Sequence, residues 1–177
     1  ETSGVTDMSK LFCASSHPDD IGCNTAAASF NEDISAWNVD NVRDMHMMFE
    51  SASAFNQNIG GWRVDQVTNM QGIFESASAF NQDLGWCVGD DVFDPDPDPN
   101  RDVYTIQDAF DGTPCKWTSC GVVQVADVAD CPTPNTTPRP TPAPTPRPST
   151  IYGYAMTDSN IRTAVAAWLA DATAAEA

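Results

Sequence analysis

A unit of 25 residues recurs between Phe30 and Trp86, and that repeat constrains the fold more than any other feature. Phe30-Asn31-Glu32-Asp33-Ile34 returns as Phe55-Asn56-Gln57-Asn58-Ile59 and again as Phe80-Asn81-Gln82-Asp83-Leu84. Trp37 to Trp62, Val42 to Val67, Phe49 to Phe74 and Phe55 to Phe80 are each separated by 25 residues. A fixed period of this length points to a solenoid, in which each unit buries its apolar face only against its neighbours. The reading is an α/β repeat solenoid built from short strands and short helices.

Within a unit, Val42, Met45, Met48 and Phe49 follow the i, i+3, i+4 rhythm of a short helix. The Asn-Gln-Asp-Ile type segment alternates polar and apolar residues and suits a short strand. Stacked units would align Phe30, Phe55 and Phe80, and likewise Trp37, Trp62 and Trp86. Asn31, Asn56 and Asn81 would then form an inward ladder satisfying turn backbone groups. The methionines at 45, 47 and 48 read as core.

The pattern extends beyond the regular units. Val5-Thr6-Asp7-Met8 matches the repeat from just after its Trp, and Leu11-Phe12 aligns with Met48-Phe49. Val5 to Val42 spans 37 residues, so this unit carries an insert containing Cys13 and Cys23, which a disulfide would close into a loop. The chain opens on Glu1 partway through a unit, which reads as one piece of a longer chain. Past Trp86, the steps Met70 to Ile106 and Phe74 to Phe110 are both 36 residues, giving a fourth, degenerate unit with an insert. Cys87, Cys115, Cys120 and Cys131 suggest a clamped terminal cap, and their pairing has three possibilities that spacing does not separate. The first region is therefore 1–131, a solenoid with a Cys-rich cap.

Residues 132–150 change character, with eight prolines among Thr, Ser and Arg. Such a run favours polyproline II and would make a stiff spacer of about 50 Å. Thr133, Thr136, Thr137, Thr141, Thr145, Ser149 and Thr150 are candidates for O-linked sugar, and Asn135 begins a sequon for N-linked sugar. Region 151–177 ends in a helix whose Ile161, Val165, Trp168, Leu169 and Ala172 form one apolar stripe. That stripe needs a surface to cover, either on this solenoid or on the next one.

The motif Val-Thr-Asp-Met-x-x-Leu/Met-Phe, followed by Phe-Asn-x-Asp-Ile and Trp-x-Val, resembles the BspA-like leucine-rich repeats of microbial surface proteins. Similar arrays occur in bacterial surface lipoproteins and in large extracellular proteins of unicellular algae. The resemblance covers roughly residues 1–112. It implies a right-handed leucine-rich-repeat fold with roles in adhesion and surface structure. In the algal type, a stretch like 157–177 precedes the first repeat, which implies that the tail caps a following unit in a tandem array.

The net charge of −17, from 25 acidic and 8 basic residues, argues against nucleic-acid binding. No apolar run approaches the roughly 20 residues of a membrane span. Six cysteines, a sequon and few lysines fit an extracellular or cell-surface setting. Asp94, Asp96, Asp98, Asn100 and Asp102 alternate with Pro or Arg, so several hard oxygen donors would share one face of an extended segment. That density suits Ca²⁺; the alternative is a solvated acidic loop. His17 and His46 lie in different units and lack metal-ligand spacing, and no nucleophile or phosphate-loop motif is present.

The expected function is a non-enzymatic structural unit of a surface fibre or stalk. Copies of the chain would assemble head to tail, with glycans on the Pro/Thr linker. The alternatives are an adhesion module using the solenoid face and, more remotely, a hydrolase using paired acids. Aromatic residues confined to the stack favour the first reading, exposed aromatics the second, and a deep pocket holding two carboxylates the third.

Overall fold

The computed structural model describes residues 2–94, 105–131 and 156–175, with the side chains of 117 and 172–175 outside that description. Each unit hydrogen-bonds to the next through alternate residues. The N–H groups of Met45, Met47, Phe49 and Ser51 donate to the carbonyls of Asn69, Gln71, Ile73 and Glu75 at 2.8–2.9 Å. The intervening Met48, Glu50 and Ala52 donate three residues back along their own unit. Half of the donors therefore serve stacking and half serve local turns.

The apolar rhythm at 42–49 consequently forms turns rather than the expected helix. Left-handed backbone recurs at two matching places along the units, at Lys10, Met47 and Gly72 and again at Ser51, Ser76 and Gly112. A left-handed residue every few positions interrupts the i to i−4 ladder, and only glycine adopts it without steric cost. The strands expected at 31–34, 56–59 and 81–84 do not form; the parallel bridges fall instead at Asp7 with Asp44 and Asp44 with Asn69, in and around the stretch whose spacing suggested a helix.

Aromatic rings fill the interior in two columns. Phe12, Phe49, Phe74 and Phe110 stack at 5.4–5.5 Å, and Phe30, Phe55 and Phe80 at 5.8–5.9 Å. The columns touch within each unit at 4.0–4.1 Å, with the paired rings within 14° of parallel. Ile34, Ile59 and Leu84, with Met45 and Met48, complete a buried core. The Asn ladder exists but on the outside: Asn31 Oδ1 accepts from Asn56 N, and Asn56 Oδ1 from Asn81 N, both at 2.9 Å. Gln57 and Gln82 extend it by donating to Asn31 and Asn56. Asn31 and Asn81 are exposed, because the interior at this point belongs to the phenylalanines on their N-terminal side.

Beyond the regular units, α1 (Ile106–Ala109) starts on a capping box in which Thr105 and Asp108 bond each other's backbone. Phe74 N donates to Ala109 O and Ser76 N to Asp111 O, continuing the stacking bonds across the longer step. Strand β1 (Cys87–Gly89) pairs in parallel with β2 (Val123–Val125), Cys87 opposite Val123. The last element, α2 (Ile161–Ala175), lies at the other end of the stack, beside the first unit.

Candidate functional site

The outward-facing N–H groups of the first described unit find their acceptors in a distant part of the chain. Along the stack, Thr68 N donates to Arg43 O, and Arg43 N donates to Thr6 O, both at 2.8 Å. Thr6 N completes that series by donating to Asp158 Oδ1 at 2.6 Å, and Asp7 N reaches the same oxygen at 3.0 Å. The Thr6 hydroxyl donates to Asp158 Oδ2 at 2.6 Å. Gly4 and Thr157 form a parallel bridge. The segment leading into α2 thus takes the place of a preceding unit, at a chain separation of 152 residues.

α2 then seals the core. Ile161, Val165, Trp168 and Leu169 are buried, and the Trp168 ring stands edge-on to Phe30 at 4.9 Å and Phe12 at 6.3 Å. Arg162 donates to Asp7 Oδ1 and Ser9 Oγ, both at 3.0 Å, and to the Ser9 carbonyl. Hydrogen bonds from the Thr6 hydroxyl, then from the Thr6 and Asp7 N–H groups, with Arg162 nearby, hold the Asp158 carboxyl below its usual range. Burial pushes Asp7 upward, but Ser9 and Arg162 outweigh it and leave this carboxyl low as well. Both carboxylates are stabilised in their charged, docked form.

The four remaining cysteines pair as Cys87–Cys131 and Cys115–Cys120, and Cys13 pairs with Cys23. Cys87–Cys131 ties β1 to the residue after the 3-10 turn Val128–Asp130. Of the acidic run, Asp94 is buried, and Asp96, Asp98, Asn100 and Asp102 lie outside the described residues. The sugar candidates Thr133, Asn135, Thr136, Thr137, Thr141, Thr145, Ser149 and Thr150 also lie outside them, as does the side chain of Ala172.

Residues 1–94, more than half of the chain, match the family described as Mycoplasma protein of unknown function, DUF285. The chain belongs to that family. Neither the comparison with curated proteins nor that with solved structures returns a match. The matched region of this DUF285 chain contains the first three stacked units and the surface that receives α2, while the unit around Phe110 and α2 itself lie beyond the match.

Among the described residues of this DUF285 protein, one cluster gathers metal-ligating atoms: Cys13, Cys23 and Glu50, all within 4.8 Å. Both sulfurs are spent in the disulfide, so a single carboxylate remains. A cleft of about 80 Å³ runs between the Cys13–Cys23 loop and α2. Lys10, Leu11, Gly22 and Asn24 form one wall, and Arg162, Val165, Ala166 and Leu169 the other, with no carboxylate among them. No helix among the described residues is long and apolar enough to cross a membrane.

The sequence pattern singled out the α2 stripe but not Asp158, Arg162 or Glu50. Each had a signal. Thr157-Asp158 repeats the Thr6-Asp7 dipeptide, and Glu50, Glu75 and Asp111 each follow a stacked phenylalanine.

Proposed function

We propose that this chain is an extracellular structural unit, a short leucine-rich-repeat-like solenoid of the BspA-like kind that assembles head to tail into a surface fibre. Asp158 carries the reading: its carboxylate accepts the N–H groups of the first unit where another unit's carbonyls would otherwise stand. An end that accepts a separate, C-terminal element can receive it from the same chain or from a neighbouring copy. Exchange of α2 between copies would convert one closed monomer into a chain of identical contacts, a heterologous arrangement that propagates.

The placement of apolar surface supports structure over recognition. The described phenylalanines are buried, and among the described side chains the large apolar residues that stand exposed are Ile21, Val123 and Val128, none of them aromatic. The acidic surface keeps copies apart except where an interface is specified, and sugar on the Pro/Thr linker would stiffen and protect the connection.

Peptide mass spectrometry of native material, together with sedimentation over a concentration series, tests this reading. Sugar on Thr141 or Thr145 and association that grows with concentration are expected. A bare linker on a chain that stays monomeric throughout would overturn the proposal.

A further inference from the structure

The Cys13–Cys23 disulfide sits at the head of an acidic column. Cys13, Glu50, Glu75 and Asp111 each come directly after one of the stacked phenylalanines Phe12, Phe49, Phe74 and Phe110. The loop between the two cysteines folds over the start of this column. Glu50 is 8% exposed beneath it, whereas Asp111, at the far end, faces solvent and pairs with Lys116.

Glu50 Oε2 lies 3.5 Å from Cys13 Sγ. A sulfur in a disulfide carries no proton, so it donates nothing to the carboxylate. Among the described residues, no N–H or O–H group donates to the Glu50 side chain. Burial strips hydration from a charged carboxylate in that position and so favours its protonated form. Burial, followed by the negative charges of Asp20 and Glu75, raises this carboxyl to about 7, and Lys10 offsets only part of the rise. His46 stands near Asp44, Lys10 and Asp20, and burial lowers its own pKa, so at neutral pH its imidazole supplies little positive charge. At and below neutral pH, Glu50 is therefore a buried acid with its proton available to a sulfur.

We propose that Cys13–Cys23 and Glu50 form a proton-gated thiol-exchange site whose substrate is a small thiol reductant. The reductant's thiolate attacks Cys23 Sγ, because Cys13 is almost fully buried and Cys23 only partly so. The bond between the two cysteine sulfurs breaks, a new disulfide forms between the reductant and Cys23, and the electron pair leaves on Cys13 Sγ. Glu50 gives its proton to that sulfur, leaving a Cys13 thiol and a Glu50 carboxylate. A second thiolate from the reductant then displaces Cys23, completing a two-electron reduction in which the reductant becomes its own disulfide. Once Glu50 is ionised, the site has no proton to give and its charge repels the incoming thiolate. Exchange then slows. Opening the loop would loosen one wall of the α2 cleft, since Gly22 and Asn24 belong to it. The chemistry stands whether or not copies of the chain assemble.

The test is reduction of the full chain by dithiothreitol across roughly pH 5.5 to 8.5, a range that brackets neutrality. Samples are quenched by alkylation and each cysteine is read by peptide mass spectrometry. Dividing the Cys13–Cys23 rate by the Cys87–Cys131 rate in the same sample cancels the reagent's own thiolate fraction. The expected ratio falls about tenfold as pH rises through neutrality in the wild-type chain and stays flat in Glu50→Gln. A flat wild-type ratio, or the same fall in Glu50→Gln, overturns the proposal, and the wild-type profile decides alone if the variant does not fold. With 2-mercaptoethanol, the trapped adduct is expected on Cys23, and an adduct on Cys13 would contradict the direction of attack.

Discussion

Trp62 and Trp86 occupy matching places in successive units and have opposite fates. The Trp62 indole N–H donates to the Ile34 carbonyl at 3.3 Å, whereas the Trp86 indole N–H is buried without a partner among the described residues. Trp62 follows Trp37 by 25 residues, but Trp86 follows Trp62 by 24, and in the shortened step its N–H finds no acceptor. Replacing Trp62 with Phe loses a hydrogen bond along with packing. Replacing Trp86 with Phe loses packing but also removes an unsatisfied donor, whose burial costs about 1–3 kcal/mol. Trp86→Phe is therefore expected to be less destabilising than Trp62→Phe by roughly 1–2 kcal/mol. Urea unfolding at constant m-value measures the difference, and the reverse order would contradict the hydrogen-bond assignment. The missing residue was legible in the sequence as a broken period. Its consequence for one N–H group was not, because spacing alone carries no information about which carbonyl faces an indole.

At the scale of elements, the sequence was most informative where side-chain identity fixes position. Phenylalanines at constant intervals stack because rings of one shape fit one another, so the core columns could be read from spacing. The element type at 42–49 could not. Apolar residues at i, i+3 and i+4 also line up in a turn that contains left-handed residues, and Met47 gives no hint of its positive φ. The pairing of Cys87 with Cys131 depends on where β1 and the 3-10 turn Val128–Asp130 come together, a long-range fact absent from cysteine spacing. The α2 stripe was legible as amphipathic, while its destination was not. Its docking has a definite pH dependence. Asp158 and Asp7 both titrate below the ordinary value of 3.8, so the stability they contribute is present above that value and lost as pH falls below it. Amide exchange in 161–175 is expected to accelerate below about pH 3.8 while the units around Phe49 and Phe74 stay protected. Simultaneous loss of protection in both regions would show that α2 is not a separately docked element.

At the scale of the whole molecule, the two ends of the stack are closed by different means. The C-terminal end relies on covalent ties, Cys115–Cys120 and Cys87–Cys131, with the short β1–β2 pairing. The other end relies on a docked helix held by Trp168, Asp158 and Arg162, contacts that can break and reform. In the proposed fibre this asymmetry sets the polarity: a fixed end carries the linker, and an open end accepts a helix from the copy beside it. Electron cryomicroscopy of native material tests that account most directly. Regular filaments in which α2 of one copy packs through Trp168 onto Phe12 and Phe30 of the next are the predicted result. Dispersed single chains, each with α2 closed on its own first unit, would contradict it.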